Sequence, residues 1–172
     1  MLFVRCAFCH KLVFRPLYCS HRAKHTRPLR NGQMTDHITV HPKGRHQGSL
    51  QGVPRSYRHP RCGVATGIPE EIIRSYLVNP FLYSGGSFCC GCNDYMLYEE
   101  LFWVETGQSL ADYFRELQVK YVRVHGTPPP RRRVQLGRQT LAEPARYRIA
   151  AKHSELSNAT ASHVSERLEQ LA

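Results

Sequence analysis

The sequence predicts a small α+β domain built from short antiparallel strands and two helices. Two windows, at about 69–79 and 106–121, repeat apolar residues with helical spacing, and shorter apolar stretches between glycines and prolines are typical of strands. A third observation is a pair of turns, at 59–62 and 89–92, in which two Cys or His residues are separated by two others. At 172 residues the chain has room for one such domain and for appendages.

Charge divides the chain into unlike parts. The net charge of +11 lies mainly at the ends: residues 1–35 carry seven Lys or Arg and no acid, and residues 123–172 carry nine Lys or Arg against four acids. Residues 36–122 carry eight Lys or Arg against nine acids, so their net charge is −1. A polyanionic partner, such as nucleic acid or an acidic protein, would therefore meet the ends of the chain first.

These differences predict four segments. Residues 1–35 are interpreted as a flexible basic extension, or as an over-long start with the natural start at Met34, and residues 36–122 as the folded module. Three consecutive prolines and three arginines make 123–143 a semi-rigid basic linker. A thin apolar stripe over 144–172 predicts an amphipathic helix that docks on the module or pairs with a partner helix.

The sequence predicts no membrane-spanning helix, because no stretch approaches 18 consecutive apolar residues. The apolar start is interrupted at Arg5 and is too short for a secretory signal, so a cytoplasmic location is expected. Seven cysteines, an odd number, argue against a complete disulfide framework and leave thiols for a metal.

The cysteines of the extension leave several alternatives open. Cys6, Cys9 and His10 have the C-x-x-C-H spacing of covalent haem attachment, a chemistry that normally follows export. Cys6, Cys9 and Cys19 with a histidine could form a second zinc site, although their spacing is irregular. An acid-free, Arg-rich leader also has the composition of an organelle transit peptide. An extension without fixed structure is the favoured interpretation.

Local signals place the elements of the first half of the module. Residues 37–41 alternate polar and β-branched side chains and predict a strand. Glycines and prolines predict a loop over 42–61. Thr66 or Gly67 is predicted to cap a helix that has Pro69 and two glutamates in its first turn and ends before Pro80.

The second half of the module follows from the same signals. A hairpin over 81–88 is predicted to bring Cys89 to a turn. The aromatic stretch 95–104, which holds the only tryptophan, Trp103, predicts a strand and a turn packed in the core. A second helix is predicted over 106–121.

The strongest chemical signal is the pair of turns. His59 and Cys62 in the first turn and Cys89 and Cys92 in the second are four soft or borderline ligands, enough to close a tetrahedral zinc site. The two-residue spacing lets one tight turn direct both side chains to one ion. Because the module is small and rich in loops, a bound ion would stabilise it. The sequence therefore predicts structural zinc, with Cys90 as a non-ligand.

The two turns also resemble the knuckles of zinc-ribbon proteins. Residues 59–63, with the sequence His-Pro-Arg-Cys-Gly, are similar to their Cys-Pro-x-Cys-Gly knuckle, with His in the first ligand position. Residues 89–93 are similar to the partner knuckle, with Asn where Gly is usual. The resemblance covers about 35 residues and implies a structural zinc ion and a protein that binds nucleic acid or another protein.

Other interpretations of the same cysteines stay open. Cys89 and Cys92 alone could form a redox dithiol, although such pairs normally stand at the start of a helix. Cys62 with Cys89, Cys90 and Cys92 could hold an iron–sulfur cluster, although the adjacent Cys89 and Cys90 point in different directions.

An enzymatic alternative depends on His59. If His59 did not bind, three thiolates would leave one open coordination position, and Glu99 or Glu100 could act as a base in a zinc-dependent hydrolytic enzyme. No Gly-rich phosphate loop, nucleophile elbow or Ser/His/Asp arrangement occurs in the sequence, so catalysis has little other support.

The 42–61 loop is the basic patch of the module. It combines basic residues with an aromatic residue and has no acid, a combination that can hold phosphates and stack a base. The candidate contacts are Lys43, Arg45, Arg55, Tyr57, Arg58 and Arg61.

Together these features predict a small intracellular zinc-binding module with a structural metal ion, acting as a binding protein for nucleic acid or another polyanion. One alternative is a protein–protein interaction module that does not bind nucleic acid, and the other is the zinc-dependent hydrolase.

Overall fold

Three small antiparallel sheets and three α-helices make up the part of the chain that the structure, a computed structural model, describes: residues 2–83 and 85–129. The α+β class is therefore confirmed. The helix predicted over 144–172, and the part of the predicted linker beyond residue 129, lie outside the described residues.

The elements follow one another in a mixed order. The strands are β1 (Phe3–Arg5), β2 (Leu12–Phe14), β3 (Ser56–Arg58), β4 (Ala65–Gly67), β5 (Gly86–Cys89), β6 (Asp94–Leu97) and β7 (Phe102–Trp103). The helices are α1 (Tyr18–His25), α2 (Glu70–Val78) and α3 (Leu110–His125). β1 pairs with β2, β3 lies between β4 and β7, and β5 pairs with β6.

The beginning of the chain is folded, whereas the sequence analysis expected an extension without fixed structure. β1 and β2 form a hairpin in which Val4 lies opposite Val13, and α1 follows after a single 3-10 turn. Backbone hydrogen bonds then tie the chain after α1 to the helix end, with Asp36 N donating to His25 O at 3.1 Å. The expected lack of structure was based on the high charge of this segment. The charged side chains are exposed and do not indicate that other residues of the hairpin and helix are buried.

α2 ends where the sequence predicts but begins later than the predicted cap at Thr66 or Gly67, because these two residues belong to β4. Pro69 is its N-cap residue, and two glutamates in the first turn meet the positive end of the helix dipole. The helix ends at Val78, two residues before Pro80. Ile73 and Tyr76 of this helix are buried, as its apolar face requires.

Residues 37–41 form no strand, so this prediction is wrong. They run in an irregular segment whose polar backbone groups bond to side chains: Val40 N donates to Ser75 Oγ at 3.0 Å, and Tyr83 OH donates to Ile38 O at 2.6 Å. Alternation of polar and apolar residues indicates only that one side is buried, and a strand also needs a neighbouring strand to pair with.

The second hairpin lies further along the chain than the sequence predicts. β5 pairs with β6, so residues 90–93 are themselves the turn, and residues 81–83 are not part of a strand. Phe88 lies opposite Tyr95 across this hairpin, with ring centroids 5.3 Å apart. An aromatic cross-strand pair of this kind stabilises the register.

The core lies between α2, α3 and the sheet that contains β3 and β7. Trp103 is buried there, as predicted. α3 begins later than the sequence predicts, because residues 103–107 close a turn and the Ser109 hydroxyl caps the helix by accepting from Asp112 N at 3.0 Å. The buried core residues are Leu50, Tyr57, Ile73, Tyr76, Leu101, Trp103, Leu110 and Phe114.

We expect Leu110→Ala to lower the free energy of unfolding by about 2–5 kcal/mol, because truncation of a core side chain leaves a cavity. Urea denaturation followed by the fluorescence of Trp103 measures this change. Val124→Ala is the control, since Val124 lies on the same helix with 71% of its side chain exposed, and we expect a change within about 0.5 kcal/mol. Equal losses for the two variants would contradict the packing of α3.

Candidate metal centres

The β3–β4 hairpin holds His59 and Cys62 in its turn. Gly63 follows with a φ of +73°, a conformation that residues with a side chain rarely adopt. The N–H groups of Cys62 and Gly63 both donate to His59 O, at 3.3 and 2.9 Å. Pro60 fixes its own φ between the two ligands. This turn is tight enough for both side chains to reach one point.

The β5–β6 hairpin presents the second pair. Cys89 is the last residue of β5, and Cys92 lies in the turn that precedes β6. Asn93 leaves the turn with a φ of 52°, again in the left-handed region, where asparagine is tolerated better than most residues.

The two turns touch each other at Gly91. A Cβ atom at this position would lie 2.6 Å from Val64 Cγ2 and 2.8 Å from Cys62 Sγ, so only glycine allows the approach. Cys90 N donates to Thr66 Oγ1 at 3.2 Å and ties the second turn to β4. The two hairpins are therefore held tip to tip.

This contact gathers the four residues that the sequence analysis named. The ligand atoms of His59, Cys62, Cys89 and Cys92 all lie within 4.8 Å of one another. Cys62 Sγ lies 3.5 Å from Cys89 Sγ, and His59 Nδ1 lies 3.2 Å from Cys92 Sγ. Ligands of a tetrahedral zinc site, with bonds of about 2.0–2.3 Å, stand about 3.3–3.8 Å apart. This knuckle cluster could hold a metal ion.

Their surroundings shift the pKa values of two of these thiols in opposite directions. A hydrogen bond from the backbone of Val64 is the largest influence on Cys62 and lowers the pKa of its thiol. Desolvation, followed by the influence of the neighbouring thiols of Cys62 and Cys89, raises the pKa of Cys92 to about 11. Thiolates at such distances repel one another, so full deprotonation requires a cation among them.

A second group of ligands lies in the folded start of the chain. Cys6 and Cys9 are in the turn of the β1–β2 hairpin, and His21 and His25 stand one turn apart on α1. Their ligand atoms also lie within 4.8 Å of one another. His21 Nε2 is 3.3 Å from Cys9 Sγ and 3.2 Å from His25 Nε2. This N-terminal cluster could hold a metal ion as well.

Asp36 orients one imidazole of the N-terminal cluster. Its Oδ2 lies 2.7 Å from His25 Nδ1, and the Phe8 ring stacks on the same imidazole with 5° between the planes. A proton on Nδ1, donated to the carboxylate, leaves the lone pair of Nε2 directed into the cluster. A carboxylate behind a ligating histidine is typical of metal sites in proteins.

The N-terminal cluster differs from the groups that the sequence predicts. Cys19, which the second zinc site was expected to include, is exposed and lies outside the cluster. In the expected haem-attachment motif of Cys6, Cys9 and His10, the His10 Nε2 instead lies 2.9 Å from Thr39 Oγ1. The spacing C-x2-C-x11-H-x3-H is the signal that could have found the cluster. It is easily missed because no side chain caps the start of α1.

Three turns in the chain share one backbone conformation. In each pair of ligands separated by two residues, the residue after the second ligand adopts a positive φ: 61° at His10, 73° at Gly63 and 52° at Asn93. The left-handed residue reverses the chain directly after the second ligand. The first N-terminal pair therefore has the same turn as the two pairs of the knuckle cluster.

A short segment after α1 joins the two clusters. Thr39 N donates to Ala7 O, in the turn that holds the first two cysteines, at 3.3 Å, and the Thr39 hydroxyl contacts His10. Met34 N donates to the hydroxyl of Tyr95 on β6 at 3.2 Å. Each end of this segment therefore contacts a hairpin that carries ligands.

The candidate anion contacts of residues 42–61, where the sequence predicts a loop but β3 occupies part of the segment, divide into two groups. Tyr57 is only 3% exposed, and its hydroxyl bonds to Phe88 O, so its predicted stacking on a base is wrong. Arg45 donates to Val40 O and to Thr39 Oγ1, so this side chain supports the segment beside it. Exposed basic side chains remain at Lys43, Arg55, Arg58 and Arg61.

The alternatives for the knuckle cluster find less support. His59 is among the gathered ligands, so the site with three thiolates and an open position is not favoured. Cys90 is exposed and is not among them, which disfavours an iron–sulfur cluster on four cysteines. Glu100 Oε2 accepts from Leu97 N at 3.1 Å, so this carboxylate is engaged in its own turn.

No family model, curated protein or solved structure matches this chain. Among the residues that the structure describes, no helix is long and apolar enough to cross a membrane. The function of this chain is therefore inferred from the geometry of the two clusters and from the surface around them.

We expect Gly91→Ala to weaken metal binding at the knuckle cluster by about tenfold or more, because the added methyl group would overlap Val64 and Cys62 and such overpacking costs about 1–3 kcal/mol. Competition with a chromophoric chelator measures the affinity. Gly67→Ala is the matched control, since a Cβ there meets no heavy atom within 4 Å. Equal affinities for the two variants would show that the turns do not approach as described.

We expect Asp36→Asn to weaken metal binding at the N-terminal cluster by about 10- to 100-fold, because it removes the carboxylate that orients His25. The same competition assay, with the knuckle cluster as an internal reference in each sample, reports the change. Glu99→Gln, an exposed change of the same chemistry, serves as the control. An unchanged affinity in the Asp36 variant would count against the orienting role.

Proposed function

We propose that this chain is a binding protein whose fold is held by two structural zinc ions, one in each cluster, and that it binds nucleic acid through its basic surface. The observation that carries the proposal is the presence of two closed groups of four thiol and imidazole ligands.

The donor chemistry favours zinc over other ions. Each cluster combines cysteine sulfur with histidine nitrogen and lacks a carboxylate ligand, a set that suits zinc and excludes magnesium and calcium. Four protein ligands at tetrahedral spacing leave no coordination position for water or substrate. A structural role therefore fits better than the alternative of a zinc hydrolase.

The basic surface supports a polyanionic ligand. Residues 1–35 carry seven Lys or Arg and no acid. The described part of this segment, residues 2–35, is folded, so its charge is displayed on a defined surface. Exposed arginines at Arg55 and Arg58 add to the charge near the knuckle cluster. Such surfaces gain affinity for phosphates by releasing counterions, without sequence selectivity.

Elemental analysis of protein purified without added metal tests the zinc proposal. We expect two zinc ions per chain, and one in each of Cys62→Ser and Cys9→Ser, because each change removes a ligand from one cluster only. Cys19→Ser is the matched control and should retain two, since Cys19 lies outside both clusters. Fewer than two ions in the unchanged protein, with folded structure by circular dichroism, would contradict the proposal.

The salt dependence of binding tests the nucleic-acid proposal. For about five phosphate contacts on a single strand, we expect affinity to fall about 100-fold between 50 and 200 mM salt. Arg55→Gln with Arg58→Gln should reduce both the affinity and the slope. Lys120→Gln with Arg123→Gln, on the exposed side of α3, is the charge-matched control. Binding that is absent at low salt, or independent of salt, would contradict the proposal.

A further inference from the structure

One face of the β1–β2 hairpin is exposed and aromatic. Phe3 lies opposite Phe14, and Arg5 lies opposite Leu12. Because side chains alternate between the two faces of a sheet, these four share one face, and all four are exposed. Phe3 is 57% exposed and Phe14 is 43% exposed, and their ring centroids stand 5.8 Å apart. We call this surface the hairpin face.

The opposite face of the same hairpin behaves differently. Val4 and Val13, which pair across it, are half-buried. The two valines are therefore partly buried, whereas the two larger phenylalanines are exposed to solvent. Leu2, just before β1, and Leu17, shortly after β2, are also exposed. Two adjacent aromatic rings exposed on one face of a hairpin are typical of a binding site.

The charge around the hairpin face indicates the kind of ligand. Lys11 and Arg15 are exposed next to β2, and Arg5 lies on the face itself. The Arg5 guanidinium donates to His10 O at 2.8 Å, which holds this side chain against the turn of the hairpin. No acidic residue occurs before Asp36 in the sequence. The surface therefore combines flat aromatic rings with uncompensated positive charge.

We propose that the hairpin face binds single-stranded nucleic acid, with unpaired bases stacked on Phe3 and Phe14 and phosphates held by Arg5, Lys11 and Arg15. This inference rests on the proposed function and assigns it a surface and a ligand class. Bases of a duplex are stacked on one another and cannot reach the rings, whereas every unpaired base has a face to offer.

The N-terminal cluster gives this surface its rigidity. Cys6 directly follows β1, is fully buried, and lies in the turn that connects the two strands of the hairpin. An ion bound by this cluster would fix the turn and with it the strands that carry the rings. A preorganised platform loses less conformational entropy when a strand binds.

Fluorescence anisotropy with labelled oligonucleotides tests the inference on the full, zinc-loaded chain. The probes are oligothymidine and oligouridine of about 12 nucleotides and a duplex of the same length. We expect tighter binding to the single strands, and about a tenfold loss for Phe3→Ala or Phe14→Ala on these probes only. The salt slope should not change in these variants, whereas Lys11→Gln and Arg15→Gln should each reduce it by about 0.7.

Two further variants guard against effects on folding. Phe3→Leu and Phe14→Leu keep an apolar side chain and should still weaken binding to single strands, with zinc content unchanged. Val119→Ala, an exposed apolar residue on α3, is the matched control and should bind like the unchanged protein.

Three results would overturn the inference. If the phenylalanine variants bind single strands normally while Arg55→Gln and Arg58→Gln weaken binding, the proposed function stands and this surface is wrong. If vesicles of phosphatidylcholine and phosphatidylserine, rather than oligonucleotides, depend on Phe3 and Phe14, the face binds a membrane surface. If no oligonucleotide binds at low salt, the proposed function fails together with the inference.

Discussion

The closest approach of two hairpin turns, at Gly91, is the constraint on which the rest of the structure depends. It places three thiols and one imidazole within 4.8 Å of one another, and thiolates at such distances repel one another unless a cation lies among them. Tyr57 connects this cluster to the core: its ring packs edge-on against Trp103, and its hydroxyl bonds to Phe88 O on the second hairpin. A zinc ion contributes about 10–16 kcal/mol in small zinc domains, which is comparable to the whole stability of an ordinary domain.

The chain uses the same type of turn at three pairs of ligands, and these turns pack against different elements. Two of the three turns meet each other in the knuckle cluster, and the third meets a helix that supplies two histidines. The segment that follows this helix then supplies Asp36 to the N-terminal cluster and Thr39 to its turn, so that the two clusters share a connection.

The knuckle cluster could be predicted from the sequence because its ligand spacing and its turn residues, Pro60 and Gly63, are local signals. α2 could also be predicted from the sequence, since Pro69 and two glutamates lie at its start. The N-terminal cluster could not be predicted in the same way. Its histidines lie on a short helix without a capping side chain, in a segment whose charge suggested disorder. The strand predicted for residues 37–41 is wrong because alternating polar and apolar residues indicate only that one side is buried. Whether a strand forms also depends on a neighbouring strand to pair with. Tyr57 was misread as a surface residue because its burial is set by Trp103, far along the chain.

The central claim is that bound metal holds this fold together, and metal removal tests it most directly. The protein is treated with a chelator, its loss of zinc is verified by elemental analysis, and Trp103 fluorescence and circular dichroism are recorded before and after. Because Trp103 is only 1% exposed, the account predicts a red shift of its emission with loss of helical signal, both reversed by zinc and not by magnesium. A metal-free protein with unchanged emission and circular dichroism would contradict the account.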